Sequence, residues 1–358
     1  MIIGHGGNVK ELAARLGCPV EDIIDMSSNL NPLGPPPGFE DFLINSIKDI
    51  RSLPEVDAMG MIKAFSKAKD IDPSRVAPGN GTTWFIYTII PALSPNNVLI
   101  CGPAYSDYKD ACIMHNIKFD FINSNEDSLF VHDIDRISKI SDKYDMVFIC
   151  NPNNPTAQLI DKEDLIKLIR TNFDTFFIID ESYLPFVENY EQLSLINNIE
   201  FKNLLVLSSM SKIFRIPGLR TGFLSGDPEI IRKIMHYYQP WSINCFAQKG
   251  VGFLLENQDK TRPFIKAAQK FIKKEKENFF EKLSNARTIK LFPSKTSFIL
   301  AKLLDDTKSY DFCRYIADHK ILIRDCSNFD GLSDKYVRFS LKTRALNNKL
   351  ADLINQGI

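Results

Sequence analysis

Between residues 97 and 224 short apolar runs alternate with longer amphipathic stretches, and several runs end in a cluster of polar residues. The runs are Asn97–Cys101, Phe119–Ile122, Met146–Cys150, Phe176–Ile179, Leu204–Leu207 and Thr221–Leu224. Each is apolar along its whole length rather than at every second position, which is the pattern of strands buried on both faces. Thr83–Leu93, Asp107–His115 and Lys162–Thr171 read as helices between them. Strand and helix in alternation predict an α/β fold with a mostly parallel sheet covered by helices. In such a sheet ligands bind beyond the carboxyl ends of the strands. Asn151 to Asn154, Asp180 to Tyr183 and Ser208 to Lys212 are therefore site candidates by position alone.

The pattern changes after about residue 245. A charged helical stretch runs from Gln248 to Leu283, followed by strands near Ser297–Ala301, Ile321–Ile323 and Tyr336–Ser340 and a last helix from Arg344 to Ile354. This predicts residues 1–45 as an N-terminal arm packing with the small domain, 46–245 as a large domain and 246–358 as a small C-terminal α/β domain. A chain of 358 residues has room for both. Its 44 basic and 44 acidic side chains cancel, which argues against a nucleic-acid or anionic-membrane partner. The seven cysteines form no C-x-x-C pair, so neither a metal site nor a disulfide framework is expected. Scattered cysteines, a start without a signal-peptide apolar core and the lack of a long apolar run predict a soluble protein of the reducing cytoplasm.

The polar clusters suit one cofactor, pyridoxal 5'-phosphate, which needs an amine for its aldehyde and an acid opposite its pyridine nitrogen. It also needs donors to its phenolate, an anion cradle and an aromatic lid. Ser209-Met210-Ser211-Lys212 offers the amine, with Ser209 and Ser211 beside it, and Arg220 follows as a fork for phosphate. Asp180, ending Phe-Phe-Ile-Ile-Asp, offers the acid, and Tyr183 three residues on can donate to the phenolate. Asn154, in Asn151-Pro152-Asn153-Asn154-Pro155, is a second donor. Gly81, Thr82 and Thr83 open a helix, where backbone N–H groups and hydroxyls favour an anion. Tyr105 is the lid candidate.

These motifs resemble the fold type I pyridoxal-phosphate enzymes, the aspartate-aminotransferase superfamily, over most of the chain. The resemblance makes Lys212 the Schiff-base lysine and Asp180 the partner of the pyridine nitrogen. Asn154 and Tyr183 then serve the phenolate, Thr82, Ser209 and Arg220 the phosphate, and Tyr105 stacks on the ring. His5-Gly6-Gly7-Asn8, Met26 to Pro36 and Leu322 to Leu332 further resemble L-threonine-O-3-phosphate decarboxylases, which make aminopropanol phosphate for cobalamin. Histidinol-phosphate aminotransferases share the Asn-Pro-Leu-Gly-Pro segment but usually lack the His-Gly-Gly-Asn start.

By that resemblance Arg338 meets the substrate carboxylate, and Arg324 with His5, Gly6, Gly7 and Asn31 meets a substrate phosphate. The implied reaction is decarboxylation of a phosphorylated amino acid, L-threonine O-3-phosphate or the related L-serine O-phosphate, with Lys212 reprotonating Cα. The alternative is an aminotransferase acting on histidinol phosphate or another amino acid. A homodimer is also implied, because such sites usually form between two subunits. Leu53-Pro54 stands where the relatives usually have Tyr-Pro, so the tyrosine that reaches the partner's cofactor phosphate is missing. Trp84 and Phe85 stand around the place of a usual acid, and Ala157 replaces a usual glycine.

Overall fold

The computed structural model describes residues 6–357, and His5, expected at the substrate phosphate, lies outside them. The strands in chain order are β1 (Ile24–Asp25), β2 (Val76–Asn80), β3 (Asn97–Gly102), β4 (Lys118–Asn123), β5 (Met146–Cys150), β6 (Phe176–Asp180) and β7 (Leu204–Ser209). They continue with β8 (Thr221–Gly226), β9 (Ile289–Leu291), β10 (Phe298–Leu303), β11 (Ile321–Leu322), β12 (Arg324–Asp325) and β13 (Tyr336–Ser340).

A seven-stranded sheet runs in the order β2-β8-β7-β6-β5-β3-β4. Only β8 opposes the rest, pairing antiparallel with both β2 and β7. Alternate residues feed two apolar cores: Phe148, Ile178 and Leu207 on one face, Val147, Ile179 and Val206 on the other. That double burial makes the strands read as continuous apolar runs. The chain leaves β3 for β4 on one side and returns to β5 on the other, so the sheet switches direction between β3 and β5. The crevice at such a switch point takes ligands.

The second sheet, β12-β13-β10-β9, is antiparallel. β1 pairs in parallel with β11, so the N-terminal segment joins this part of the molecule. The Gln248–Leu283 stretch is two helices, Cys245–Glu256 and Gln258–Lys282, parted at Asn257. Ala247, Val251, Leu254, Ile265 and Ile272 pack in the large sheet's core, whereas Phe279 and Leu283 join the second. The change of core therefore falls inside the second helix, well after residue 246. The reason is physical: a helix of 25 residues is longer than either core and spans both. Phe39 likewise packs edge-on to Phe253, with ring centroids 5.6 Å apart, so the end of the arm lies on the large sheet's core.

Candidate active site

The site loops gather on one edge of the large sheet because β2, β3, β5, β6 and β7 all end there. β8 starts from that same edge, which is why Arg220 precedes its strand instead of following it. β7 ends in Ser209, and the turn beyond it is stapled by two hydrogen bonds. Ser211 N–H donates to Ser209 Oγ at 3.3 Å and Ser211 Oγ donates to the Thr221 carbonyl at 3.3 Å. Ser211, expected at the cofactor, thus fixes the turn that presents Lys212. The Lys212 amine is driven down to about 8 by burial, then by Arg220 and Arg338, against Asp180 and Asp107. It titrates near neutrality, as a group that exchanges protons must.

Asp180 ends β6 and is buried. It accepts from Tyr108 Oη at 2.8 Å and from Ser182 N–H at 2.9 Å. Burial raises its pKa, and these hydrogen bonds pull it back. Tyr108 itself is held protonated by burial and by Asp180, so it donates throughout the neutral range. It stacks on Phe148 with ring centroids 5.0 Å apart. The sequence reading gave Tyr108 no role, yet it lies three positions after Tyr105, which stands just before its helix, and the two rings meet edge-on with centroids 5.9 Å apart.

Tyr105 and Asn154 flank the switch point. The Tyr105 hydroxyl is pushed far up by burial and by Asp107, with hydrogen bonds to Asp107 and Thr83. Asn153 ties the two loops together, donating to the Pro103 carbonyl at 2.8 Å and to Thr156 Oγ1 at 3.0 Å. Arg338 Nη1 donates to Asn154 Oδ1, which leaves the Asn154 NH₂ as the group offered to a ligand. Arg338 Nη2 donates to the Ser27 carbonyl at 2.7 Å, and its Nε is buried without a hydrogen-bond partner among the described residues.

Gly81 has φ +80° and begins the helix Thr82–Leu93, whose N-terminus no side chain caps. A Cβ on Gly81 would meet Arg220 Nη2 at 2.6 Å, so the guanidinium lies directly over this turn. An uncapped helix start beside an arginine is a phosphate site.

A pocket beside Lys212 is lined by Gly6, Ser27, Ser28, Asn29, Tyr105, Ser106, Asn154, Tyr183, Arg324, Phe329 and Arg338. Arg324 stacks over Phe329 at 5.2 Å and donates to Asn328 Oδ1 at 2.6 Å. Gly7 N–H donates to Ser27 Oγ at 2.8 Å. Asn31 departs from expectation. Its Nδ2 donates to the Ile213 carbonyl at 2.7 Å, and its Oδ1 accepts from Leu33 N–H at 3.0 Å. A buried carboxamide satisfied by backbone is a brace for the Lys212 turn, and Asn29 lines the pocket in its place. Among the described residues no group of His, Cys, Asp and Glu could hold a metal ion, and no helix is long and apolar enough to cross a membrane.

A buried lysine with a depressed pKa, a buried aspartate, an oriented amide and an arginine-flanked helix start fit pyridoxal 5'-phosphate group by group. They define a fold type I pyridoxal-phosphate enzyme. The chain belongs to the aminotransferase class I and II family, which it matches over residues 22–354. It is 32% identical over 353 residues to the adenosylcobalamin biosynthesis bifunctional protein CobDQ of Leptospira interrogans, covering 97% of this chain and 40% of that one. This chain therefore spans well under half the length of that relative. The histidinol-phosphate aminotransferase from Clostridium acetobutylicum superposes with a TM-score of 0.85 at 30% identity, covering 93% of this chain and 98% of that chain. The L-threonine-O-3-phosphate decarboxylase from Porphyromonas gingivalis does so with 0.84 at 28% identity, over 93% of this chain and 99% of that one.

Proposed function

We propose that this enzyme decarboxylates a phosphorylated amino acid, L-threonine O-3-phosphate, to give aminopropanol phosphate for cobalamin biosynthesis. The observation that carries the reading is charge. Among the described residues that line the pocket, Lys212, Arg324 and Arg338 are cationic and none is a carboxylate. That is the environment of a ligand bearing two anionic groups. An amino-acid phosphate brings a carboxylate and a phosphate in one molecule; histidinol phosphate brings only the second, although the 2-oxo acid of an aminotransferase would bring two carboxylates, so charge supports the reading together with the relatives. The decarboxylase neighbour from P. gingivalis and the cobalamin-pathway name of the L. interrogans relative support the same choice.

When bound, pyridoxal phosphate supplies an electron sink for the bond broken at the substrate's α-carbon. Lys212 would hold the cofactor, Asp180 would pair with its ring nitrogen, and Asn154 and Tyr183 would donate to its phenolate oxygen. Thr82, Thr83, Ser209 and Arg220 would hold its phosphate, and Tyr105 would pack on the ring. Arg338, on the pocket wall, would meet the substrate carboxylate, and Arg324, with Gly6 and Gly7, would meet the substrate phosphate. Two anions clamped at fixed points stop rotation about the α-carbon, so binding energy remote from the reacting bond sets its orientation. Lys212, freed when the substrate's own amine takes its place on the cofactor, would return to the α-carbon the proton that replaces carbon dioxide.

A second copy of the chain is proposed as partner. Ile44, Ile47, Ile50, Leu53, Val56 and Met59 recur at every third position and are exposed. Ile47 and Ile50 lie one turn apart on the 3₁₀ turn Ile47–Arg51, and a run of exposed apolar side chains of this kind is of the sort that a homodimer covers. The seven cysteines are all free, which suits the reducing cytoplasm.

The test is carbon dioxide release by the pyridoxal-phosphate-loaded protein from L-threonine phosphate and L-serine phosphate, with Lys212→Ala as blank. Release that depends on Lys212 supports the reading. Amino transfer from histidinol phosphate to 2-oxoglutarate, with no carbon dioxide from either amino acid, would give the chain to the aminotransferases.

A further inference from the structure

Tyr183 is buried and lines the pocket, and its hydroxyl has a hydrogen-bonding neighbour in Asn29. Asn29 Nδ2 donates to Tyr183 Oη at 3.3 Å, and Ser340 Oγ donates to Asn29 Oδ1 at 2.8 Å. All three side chains are buried. The strap carrying Asn29 is fixed independently of this chain of bonds. Asp25 Oδ1 accepts from Ser27 N–H at 2.9 Å and from Ser28 N–H at 3.1 Å, and Ser340 N–H donates to the Met26 carbonyl at 2.7 Å.

A phenol has one proton. With the serine hydroxyl on Oδ1, the carboxamide turns its NH₂ to the tyrosine oxygen. That oxygen then accepts from Asn29, and its own O–H must point elsewhere, into the pocket it shares with Lys212 and Asn154. We propose that Asn29, held by Ser340, is a positioning residue that aims the Tyr183 proton at the phenolate oxygen of the cofactor. This rests on the reading of Tyr183 as a donor to that oxygen. The consequence is a charge setting: a hydrogen bond donated to the oxygen stabilises its anionic form and lowers the pKa of the bound chromophore. Arg338, Asp180 and Cys150, the charged and titratable groups around Tyr183, and nearby Lys212 stay in place in every variant below.

The experiment is a pH titration of the visible absorbance of the cofactor-loaded protein. Tyr183→Phe is expected to raise the chromophore pKa by about one to two units, the worth of one hydrogen bond to a charged oxygen. Asn29→Asp turns the tyrosine proton backwards onto a carboxylate and is expected to give at least as large a rise with Tyr183 still present. Asn29→Leu, which adds no charge, frees the hydroxyl to rotate and gives part of the rise, and Ser340→Ala does so more weakly. In the Asn29→Leu, Tyr183→Phe double variant the rise is no larger than for Tyr183→Phe alone. A role in packing alone would lower stability and leave the chromophore pKa where it was. A rise in Tyr183→Phe with none in Asn29→Leu or Ser340→Ala overturns the role of Asn29. No rise in Tyr183→Phe would instead overturn the reading of Tyr183, and the proposal with it.

Discussion

Tyr108→Phe removes a single oxygen from the site, and its effect can be worked out from the contacts of Asp180. That carboxylate is buried and accepts from Tyr108 Oη at 2.8 Å and Ser182 N–H at 2.9 Å. A hydrogen bond to a charged acceptor contributes about 1.5–3 kcal/mol. Its loss removes that support from the ionised form and moves Asp180 further in the direction in which burial already drives it. Pairing with a protonated ring nitrogen requires the ionised carboxylate. The affinity for pyridoxal phosphate should therefore fall, by up to roughly ten- to a hundredfold if the whole worth of that hydrogen bond is lost. The fold itself should hold, because the ring still stacks on Phe148. Equilibrium dialysis of the apoprotein against the cofactor measures the affinity, and thermal melting checks the fold. An affinity within twofold of the parent, in a variant that melts normally, would refute the claim that the Tyr108 hydrogen bond supports cofactor binding through Asp180.

Glu181, the next residue, gives a pH effect of definite sign. Burial pushes its carboxyl group up to about 7, so the folded chain holds a proton that the unfolded chain releases between about pH 4.5 and 7. Stability from this group is full below that window and falls through it. Glu181→Gln should flatten the pH dependence of urea denaturation by about 1.4 kcal/mol per pH unit. Arg324→Met should raise the KM for a phosphorylated amino acid roughly tenfold or more while leaving cofactor affinity alone, the loss expected for one charge-assisted hydrogen bond. An equal KM effect on unphosphorylated threonine would count against a phosphate contact. Leu53→Lys should leave the melting of the isolated chain within about 0.5 kcal/mol, since Leu53 is 76% exposed, but should shift the mass in sedimentation towards a monomer. An unchanged mass would remove the stripe from the interface.

Much of the fold was legible because double burial leaves a plain mark. Met146–Cys150, Tyr336–Ser340 and Lys162–Thr171 were read with their observed limits. β2 was missed because Val-Ala-Pro-Gly-Asn carries two strand-weakening residues. A proline is tolerated there because β2 pairs on one side only, at the sheet's edge. The break at Asn257 was hidden by the charge pattern around it. Its Nδ2 bonds back to the Phe253 carbonyl at 2.8 Å, an ending that an asparagine can make and that periodicity does not reveal. The lysine, aspartate and arginines announced themselves through residue type at strand ends. Asn29 and Asn31 could not be told apart, because a carboxamide bonds a ligand or a backbone equally well. Only the fold shows that Asn31 braces the Lys212 turn while Asn29 faces the pocket. The stripe from Ile44 to Met59 had a period, but it is three, between those of strand and helix.

The seven residues from Asp25 to Asn31 explain how two separately packed sheets hold one site to a fixed geometry. Each core orders its own strands, but neither sets the distance from Lys212 to Arg338. The strap does so at both ends. The Met26 carbonyl accepts from Ser340 N–H at 2.7 Å, two residues beyond Arg338 on β13, and Asn31 N–H donates to the Lys212 carbonyl at 3.1 Å. Arg338 spans the same gap directly, from Ser27 on the strap to Asn154 on the large-sheet edge. A guanidinium that is only 5% exposed carries a heavy desolvation cost, tolerable where hydrogen bonds offset it. The two bonds that meet that need also fix the direction of the remaining Nε. Arg338 and Lys212 are thus positioned by the same short run of chain. If the two serve as proposed, substitutions in the Ser27-Ser28-Asn29 segment should change substrate preference, as substitutions of the arginines should.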